Sequence, residues 1–240
     1  MAAQSRPTLL LTRPEPAATR FAAQLRDRFG DGLEILSSPL MAPVFLAAPL
    51  PGGGWQGTIF TSETGVEGLR RLTDRRGPAI CVGPRTAEAA QAAGWQAEVI
   101  GGDAEGLVAA LAAQPRPGLW LHARGREAAG DLAARLRKAG MSVAEAVVYA
   151  QEPRPLTDAA RDRLMGADPV VVPLFSPRSA RLFVAQTGGT VAPLLVAAIS
   201  KAAADAVGPL GALRVECAPT PDGPGMLTAL ARLMGAGAGA

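Results

Sequence analysis

The residues that could do chemistry in this sequence come directly after short apolar runs that have the character of β-strands. They carry hydroxyl, guanidinium and ammonium groups, or they are glycines that expose the backbone. The candidates are Arg13, Ser62, Gly83, Thr86, Arg124, Gly125, Ser176, Ser200 and Lys201. Such groups at the ends of parallel strands would line a ligand-binding cleft. For Ser62, Ser176 and Thr86 taken singly, helix capping is the alternative interpretation.

Several common kinds of site cannot be built from these residues. His122 is the only histidine, so a histidine metal cluster or a Ser/His/Asp triad that needs a second His is excluded, and His122 itself is expected to be structural. No G-x-G-x-x-G follows a strand, which argues against a nucleotide phosphate loop. Tyr149 is the only tyrosine and ends an apolar run. It is either a site residue or a packing ring with a solvated hydroxyl.

The elements that would position these residues alternate between strands and helices. The runs predicted as strands are Thr8–Thr12, Leu33–Ser37, Gly57–Thr61, Ala79–Gly83, Ala97–Ile100, Gly118–His122, Ser142–Tyr149, Pro169–Phe175, Leu195–Ile199 and Leu213–Ala218. Most are apolar on both faces, and helical spacing of apolar residues separates them. This pattern predicts an α/β protein with parallel sheets. Pro173 is an exception, because it removes one backbone donor from a strand that otherwise appears central.

The sequence also repeats itself. The run Leu9–Arg13 with its following helix is echoed by Leu119–Arg124, and Ile59–Ser62 is echoed by Leu174–Ser176. We therefore expect two similar domains that face each other, an outer one built from residues 1–37 and 155–240 and an inserted one from residues 46–147. Residues 38–45 and 148–154 would be extended, proline-containing linkers that form a hinge. A single doubly wound sheet of ten strands is the alternative, although open sheets that wide are uncommon.

Charge, cysteine content and hydropathy indicate which ligands and which cell compartment suit this protein. The net charge is +3, with no run of five or more basic residues, so a nucleic-acid partner is not expected. A ligand with several carboxylates would suit the positive bias. Cys81 and Cys217 lie in apolar runs and are predicted to be buried, reduced thiols. The first residues lack a signal core and no segment is long and apolar enough to span a membrane. A cytoplasmic location with no membrane partner is the resulting expectation.

Ordered short motifs resemble the uroporphyrinogen-III synthase family over nearly the whole chain. They are Thr12-Arg-Pro14, Phe60-Thr-Ser62, Val82-Gly-Pro-Arg-Thr-Ala87, Arg124-Gly125, Val147-Val-Tyr149, Phe175-Ser-Pro177 and Thr220-Pro221. The resemblance implies two flavodoxin-like domains joined by a two-stranded linker, the outer domain being discontinuous. It also implies conversion of linear hydroxymethylbilane to uroporphyrinogen III, with loss of water and inversion of ring D through a spiro intermediate, in a monomer that needs neither metal nor organic cofactor.

The resemblance assigns roles to individual residues. Tyr149 matches the position that is the family's usual candidate for protonating the departing hydroxyl. Ser62, Thr86 and Ser176 match cleft positions. By their charge rather than by the resemblance, Arg13, Arg124 and Lys201 are expected to bind the carboxylates of this substrate. This sequence has Ala203 where many members have a threonine. Either Ser200, Lys201 or backbone N–H groups take over any role of that threonine, or the role is dispensable. The substrate would come from hydroxymethylbilane synthase, with a transient hand-over as one expectation.

Two other functions fit parts of the pattern. A two-lobed module that binds a small anion without catalysis would share the hinged α/β lobes, but the absence of a signal peptide and the tyrosine at the hinge argue against it. A regulatory domain of flavodoxin type would need a phosphorylatable Asp at a strand end within an acidic pocket, and the sequence has none. Formation of uroporphyrinogen III separates the enzyme from the binding module.

Overall fold

The chain folds into two compact units. The computed structural model describes residues 7–127 and 130–235. One unit consists of the described residues up to Ala42 and from Pro153 onward, and the other of the described residues within Pro43–Glu152. The remaining residues of the predicted domains, 1–6, 128–129 and 236–240, lie outside the described part. None of the described helices is both long and apolar enough to cross a membrane.

Strands and helices alternate along the chain, as the apolar pattern predicted. In chain order they are β1 (Thr8–Leu11), α1 (Ala17–Phe29), β2 (Ile35–Ser37), β3 (Met41–Phe45), β4 (Gly57–Phe60), α2 (Glu63–Arg70), β5 (Pro78–Cys81), α3 (Pro84–Ala92), β6 (Gln96–Val99), α4 (Ala104–Ala113), β7 (Leu119–Gly125), α5 (Leu132–Lys138), β8 (Ser142–Pro153), α6 (Asp158–Leu164), β9 (Val170–Leu174), α7 (Pro177–Gln186), β10 (Leu194–Ala198), α8 (Lys201–Asp205), a 3₁₀ turn (Gly208–Leu210), β11 (Arg214–Cys217) and α9 (Gly223–Gly235).

The strands form two separate sheets rather than a single ten-stranded one. The first has the order β11-β10-β9-β1-β2 and the second β3-β8-β7-β4-β5-β6. Neighbouring strands run parallel throughout the first sheet and from β8 to β6 in the second. The segment around β3 runs opposite to β8, since Leu46 N–H bonds to the Val148 carbonyl and Arg154 N–H to that of Leu40. The predicted linkers 38–45 and 148–154 thus contain paired strands.

The two sheets are built on the same plan. If β9 is matched with β4, β10 with β5, β11 with β6, β1 with β7 and β2 with β8, the two strand orders agree, and the second sheet has β3 as an additional edge strand. The sequence repeats described above indicate two of these matches, β1 with β7 and β9 with β4. Parallel crossovers in both sheets place helices on both faces, which is why the central strands are buried on both sides.

The core follows directly from the strand sequences. In the first sheet Leu9 and Leu11 pack with α1 and α9 on one face, while Leu10 packs with α6 and α7 on the other. In the second sheet Phe60 packs in the apolar cluster on one face, and Ile59 packs in the cluster on the other face. Pro173 lies in the central strand β9 opposite Ala197 of β10. The described ladder between β9 and β1 ends at Val171, before the missing donor.

Three details differ from the sequence prediction. The structure has one more strand, β3, in a segment expected to be an extended linker. Strand β7 continues to Gly125 instead of ending at His122, because it lies between β4 and β8 and is paired with β8 along its length. Cys81 is buried as expected, but Cys217 is exposed, because β11 is an edge strand.

His122 is structural, as predicted, and lies in β7 with only 2% of its surface exposed. Neither of its ring nitrogens has a hydrogen-bond partner among the described residues. Burial lowers the pKa of His122 to about 4, because the imidazolium would lose its hydration; nearby Glu145 opposes this shift and Arg124 adds to it. The ring is therefore neutral in the folded protein at neutral pH.

We predict that His122 makes the protein less stable in mild acid. Its pKa is about 4 when folded and about 6.5 when unfolded. Protons therefore bind the unfolded chain preferentially as the pH falls between these values, which removes up to about 3 kcal/mol from the free energy of unfolding. Urea denaturation at pH 4.5 and 7 should show a smaller pH dependence for His122→Leu. Equal pH dependences would mean that folded His122 accepts a proton readily.

Candidate functional site

In the second sheet, the predicted residues Ser62 and Gly125 lie at a topological switch point. From the central strand β4 the chain moves to β5 and β6 on one side, and then to β7 and β8 on the other. The two crossovers leave a crevice beyond the carboxyl ends of β4 and β7, where ligands of open α/β sheets bind. Ser62 follows β4, and Gly125 is the last residue of β7.

Tyr149 reaches the same place from β8. Its Oη atom lies 3.1 Å from Ser62 Oγ, and the two residues are 87 positions apart in sequence. Ser62 is also the N-cap of α2, and its Oγ atom accepts a hydrogen bond of 3.0 Å from the Gly65 N–H. The two interpretations of Ser62, helix cap and site residue, are therefore both compatible with one position of its side chain.

Glycines allow these groups to come together. A Cβ atom on Gly125 would lie 2.6 Å from Tyr149 Cζ, so the tyrosine ring occupies the space that a side chain at 125 would need. A Cβ atom on Gly65 would be 2.9 Å from the Ala123 carbonyl oxygen, and one on Gly68 would be 2.6 Å from a Val148 methyl group. Helix α2 consequently lies directly on β7 and β8. This places its cap within hydrogen-bonding distance of Tyr149.

Gly83 and Thr86 lie beside this group, at the start of α3. Strand β5 pairs with β4, so the residues that follow these two strands emerge at the same edge of the sheet. Gly83 precedes Pro84 at the first turn and provides no side-chain cap, and a Cβ atom there would meet nothing within 4 Å. Folding thus does not require glycine at 83. Thr86 is not a cap, contrary to the alternative considered for it, and lies buried in the first turn.

Arg124 is held by a carboxylate that the sequence prediction did not include. Its Nε donates to Glu145 Oε1 at 2.6 Å, and Arg137 donates to the other oxygen at 3.0 Å. Burial alone would raise the pKa of Glu145, but the hydrogen bonds from Arg137 and Arg124 outweigh it and hold the pKa below its ordinary value. Part of the charge of Arg124 is therefore compensated within the protein.

The first sheet has its switch point between β9 and β1. Ser176 follows β9 and caps α7 in a capping box, in which Ser176 Oγ accepts from the Ser179 N–H and Ser179 Oγ from the Ser176 N–H. Arg13 follows β1, with its guanidinium carbon 3.8 Å from the centre of the Phe175 ring. The Phe175 ring meets Phe21 edge-on at 4.9 Å. Stacking on Phe175 restricts Arg13 without neutralising its charge.

Ser200 and Lys201 follow β10, the neighbour of β9. Ser200 caps the short helix α8 by accepting from the Ala203 N–H at 3.3 Å. The Lys201 ammonium lies 2.8 Å from Asp205, and this hydrogen bond raises the pKa of Lys201. Ala203, at the position of the family threonine, is fully buried.

Some of the predicted site residues thus contact one another directly in the structure, and the others lie at the ends of separate strands. Ser62, Gly125 and Tyr149 form one cluster, whereas Glu145 and Phe175 are partners that the prediction missed. Arg124 and Glu145 are two strand positions out of register, so this pair could have been found only from the pairing of β7 with β8. Within residues 7–127 and 130–235, no group of three or more His, Cys, Asp or Glu residues could hold a metal ion.

Two described grooves are lined by residues other than the predicted site residues. One of about 520 Å³ in the second unit is lined by Leu46, Ala47, Ala48, Pro49, Arg126, Glu145, Ala146 and Val147. The other, of about 440 Å³, lies in the first unit between the loop after α7 and the segment that leads into β11. Neither contains Tyr149 or the capping serines. Topology and side-chain chemistry support the strand ends as the site more strongly than groove size does.

Comparison with known proteins identifies the family. A family model described as uroporphyrinogen-III synthase HemD matches residues 20–228, well over half of the chain. The sequence has no significant match among curated proteins. A crystal structure of uroporphyrinogen-III synthetase from Helicobacter pylori 26695 is 16% identical, with a TM-score of 0.64, and the match covers 95% of this chain and 99% of that one.

A mutant uroporphyrinogen III synthase from the extremely thermophilic bacterium Thermus thermophilus is 17% identical, and the match covers 96% of this chain and 99% of that one. Its TM-score of 0.46 is too low to support an argument about the fold. The Helicobacter structure supports the fold, and the family model supports the family. This chain therefore belongs to the uroporphyrinogen-III synthase family, whose members are lyases of heme biosynthesis.

Proposed function

We propose that this protein closes hydroxymethylbilane to uroporphyrinogen III with Tyr149 as the proton donor. The observation that carries the assignment of Tyr149 is its hydroxyl group, 3.1 Å from Ser62 Oγ at the switch point of the second sheet. A phenol is an acceptable general acid, and among the predicted residues it has a hydroxyl group more acidic than those of the serines and the threonine. The family match over residues 20–228 supports the reaction itself.

The proposed first step breaks the C–O bond of the substrate's hydroxymethyl group. The electron pair leaves with oxygen, the Tyr149 proton converts it to water, and an azafulvene cation remains beside a phenolate. Ring D then attacks the cation through its α-carbon that already carries the bridge to ring C, which gives a spiro intermediate. The bond from that carbon to the ring C bridge breaks and leaves an azafulvene cation on ring C. The unsubstituted α-carbon of ring D attacks this second cation, which closes the ring with ring D inverted. The proton released when the last pyrrole regains aromaticity returns to Tyr149. The net change is loss of one water molecule, and Tyr149 ends in its starting state.

The remaining predicted residues are proposed to bind the substrate. Each ring of the bilane carries an acetate and a propionate, so cations and helix N-termini are suitable partners. Arg13 and Lys201 would contact carboxylates, and Arg124 would do so while it stays paired with Glu145. Hydroxyl or backbone groups are proposed to come from Ser62, Gly83, Thr86, Gly125, Ser176 and Ser200. At Ala203 the family threonine has no equivalent hydroxyl, so Ser200 or backbone N–H groups would replace it.

Positioning is the larger part of the proposed catalysis. The azafulvene reacts without further activation once ring D is held next to it, and holding two reactants in place can lower a barrier by about 7 kcal/mol or more. Restricting water around the cation would prevent its diversion to a linear product. A reaction that depends mainly on positioning agrees with a site in which one phenol is the only proposed acid.

We also propose a working context for the enzyme. It would act as a monomer in the cytoplasm, and it would receive hydroxymethylbilane by a transient hand-over from hydroxymethylbilane synthase. The free thiols Cys81 and Cys217 are consistent with a reducing compartment. Gel filtration of the purified protein, alone and mixed with hydroxymethylbilane synthase, tests the oligomeric state and the hand-over complex.

The overall reaction is tested by the isomer that forms. Hydroxymethylbilane closes to isomer I without a catalyst, so chromatography of the oxidised products should show isomer III in excess when the protein is present. A protein that bound the bilane without catalysis would give isomer I alone. That product pattern would contradict the proposed function.

We predict that Tyr149→Phe lowers kcat between severalfold and about a hundredfold, because the general acid is lost while the ring keeps its packing. The Tm should stay close to that of the parent protein, since the hydroxyl is only partly buried. Steady-state assays and thermal denaturation measure both quantities. Unchanged turnover would remove Tyr149 from the mechanism.

We predict that Arg13→Gln raises KM for the polycarboxylate substrate by about tenfold, as expected for loss of one charge-assisted hydrogen bond. Arg214→Gln is the matched control, because Arg214 pairs with Glu216 on the edge strand β11 and is not a proposed site residue. It should leave KM unchanged. Equal effects of the two substitutions would indicate that only the net charge of the protein matters.

A further inference from the structure

The hydroxyl of Ser62 takes part in two hydrogen bonds of different kinds. Its oxygen accepts from the Gly65 N–H at 3.0 Å, which fixes the side chain as the cap of α2. The same oxygen lies 3.1 Å from Tyr149 Oη, a contact in which either atom can be the donor. A serine hydroxyl has one proton to give. Capping uses a lone pair of Ser62, so its proton is available for Tyr149.

We propose that Ser62 is the positioning residue for the Tyr149 phenol. In this arrangement Ser62 donates its hydrogen to Tyr149 Oη, and the phenolic hydrogen points away from Ser62 toward the departing hydroxyl of the substrate. This inference rests on the proposed function, because it assigns the orientation of the proton that Tyr149 gives up. In this proposal Ser62 acts through Tyr149, and this role replaces direct binding of the substrate by Ser62.

The position of Ser62 at a helix start strengthens this hydrogen bond. The first N–H groups of α2 give its N-terminus a partial positive charge, which polarises the Ser62 O–H that they contact. A polarised donor to Oη stabilises negative charge on that oxygen. Such charge develops as Tyr149 transfers its proton, so the chain from Gly65 N–H through Ser62 to Tyr149 favours the transition state more than the ground state.

The surrounding packing keeps the Gly65 N–H, the Ser62 hydroxyl and the Tyr149 hydroxyl within hydrogen-bonding distance. Gly65 and Gly68 let α2 lie against β7 and β8, and Gly125 leaves room for the Tyr149 ring. Val66 and Leu69 of the same helix are buried against the apolar side of the sheet. A donor at the start of a helix whose inner face is packed on the sheet has little freedom to turn away, so Ser62 can orient the phenol without a large loss of entropy.

Three substitutions at Ser62 separate its two hydrogen bonds. Ser62→Thr keeps both the cap and the donor and should retain kcat within about threefold. Ser62→Ala removes both and should lower kcat about tenfold, with KM changed less than about twofold. Ser62→Asp keeps the cap, because a carboxylate accepts from the Gly65 N–H, but it cannot donate to Tyr149. Its kcat should fall at least as far as that of Ser62→Ala.

A double substitution tests whether Ser62 acts through Tyr149. In a Tyr149→Phe background the phenol is absent, so adding Ser62→Ala should change kcat by less than about twofold. Asp103→Ala is the control for capping alone, because Asp103 caps α4 through the Gly106 N–H and lies outside the proposed site. It should lower Tm and leave kcat unchanged. If Ser62→Ala does not fold, Ser62→Asp, with its cap intact, decides the question.

Two outcomes would overturn the inference while leaving the proposed function in place. One is an equal loss of kcat from Ser62→Ala with and without the phenol. The other is a rise in KM at constant kcat, which would make Ser62 a direct substrate ligand. Unchanged kcat in Tyr149→Phe would instead reject the proton donor, and the positioning role with it. Absence of isomer III with the parent protein would reject the function as a whole.

Discussion

The site in the second unit depends on how closely helix α2 lies on β7 and β8. Glycines at 65 and 68 cost the helix about 1 kcal/mol each relative to alanine. Alanine at either position would bring its Cβ atom within 3.0 Å of the sheet. The close contact brings the helix cap to the tyrosine of β8, and without it Ser62 and Tyr149 could not share a hydrogen bond. The two glycines thus make helix α2 less stable than alanines would. The position of the phenol depends on the close approach that they allow.

The two units share a strand order but differ in the chemistry at their switch points. In the second unit a serine cap contacts a tyrosine, whereas in the first a serine cap lies in a capping box and an arginine stacks on Phe175. The first unit therefore presents a cation at its switch point, and the second unit presents a neutral proton donor. Under the proposed function, the first unit would hold carboxylates and the second would supply the acid.

The basic residues that look equivalent in the sequence have different neighbours in the structure. Arg124 shares Glu145 with Arg137, and Lys201 is paired with Asp205 on the same short helix. Arg13 stacks on an aromatic ring, a contact that uses the face of the guanidinium rather than its hydrogen-bonding edge. A pair such as Arg124 with Glu145 can still bind an anion, but a substrate carboxylate must compete with Glu145 there.

The sequence by itself determined the fold class, the approximate positions of ten strands and the matching of the repeats. Strands buried on both faces, such as Thr8–Leu11 and Val170–Leu174, need apolar residues at nearly every position, and that local pattern is visible without a structure. Helix caps such as Asp103 and Thr157 are equally local, because capping depends on neighbours three residues away. The family resemblance identified Tyr149 and Ser62 as separate candidates.

Only the tertiary structure decided which of these residues meet. The contact between Ser62 and Tyr149 spans 87 positions and depends on the β7–β8 pairing, with its irregularity at Gly125, and on the depth at which α2 packs. The pairing of Arg124 with Glu145 and the exposure of Cys217 likewise follow from which strands are neighbours and which lie at an edge. Local patterns specify the elements, but distances between side chains on different strands arise from packing, to which residues far apart in the sequence contribute together.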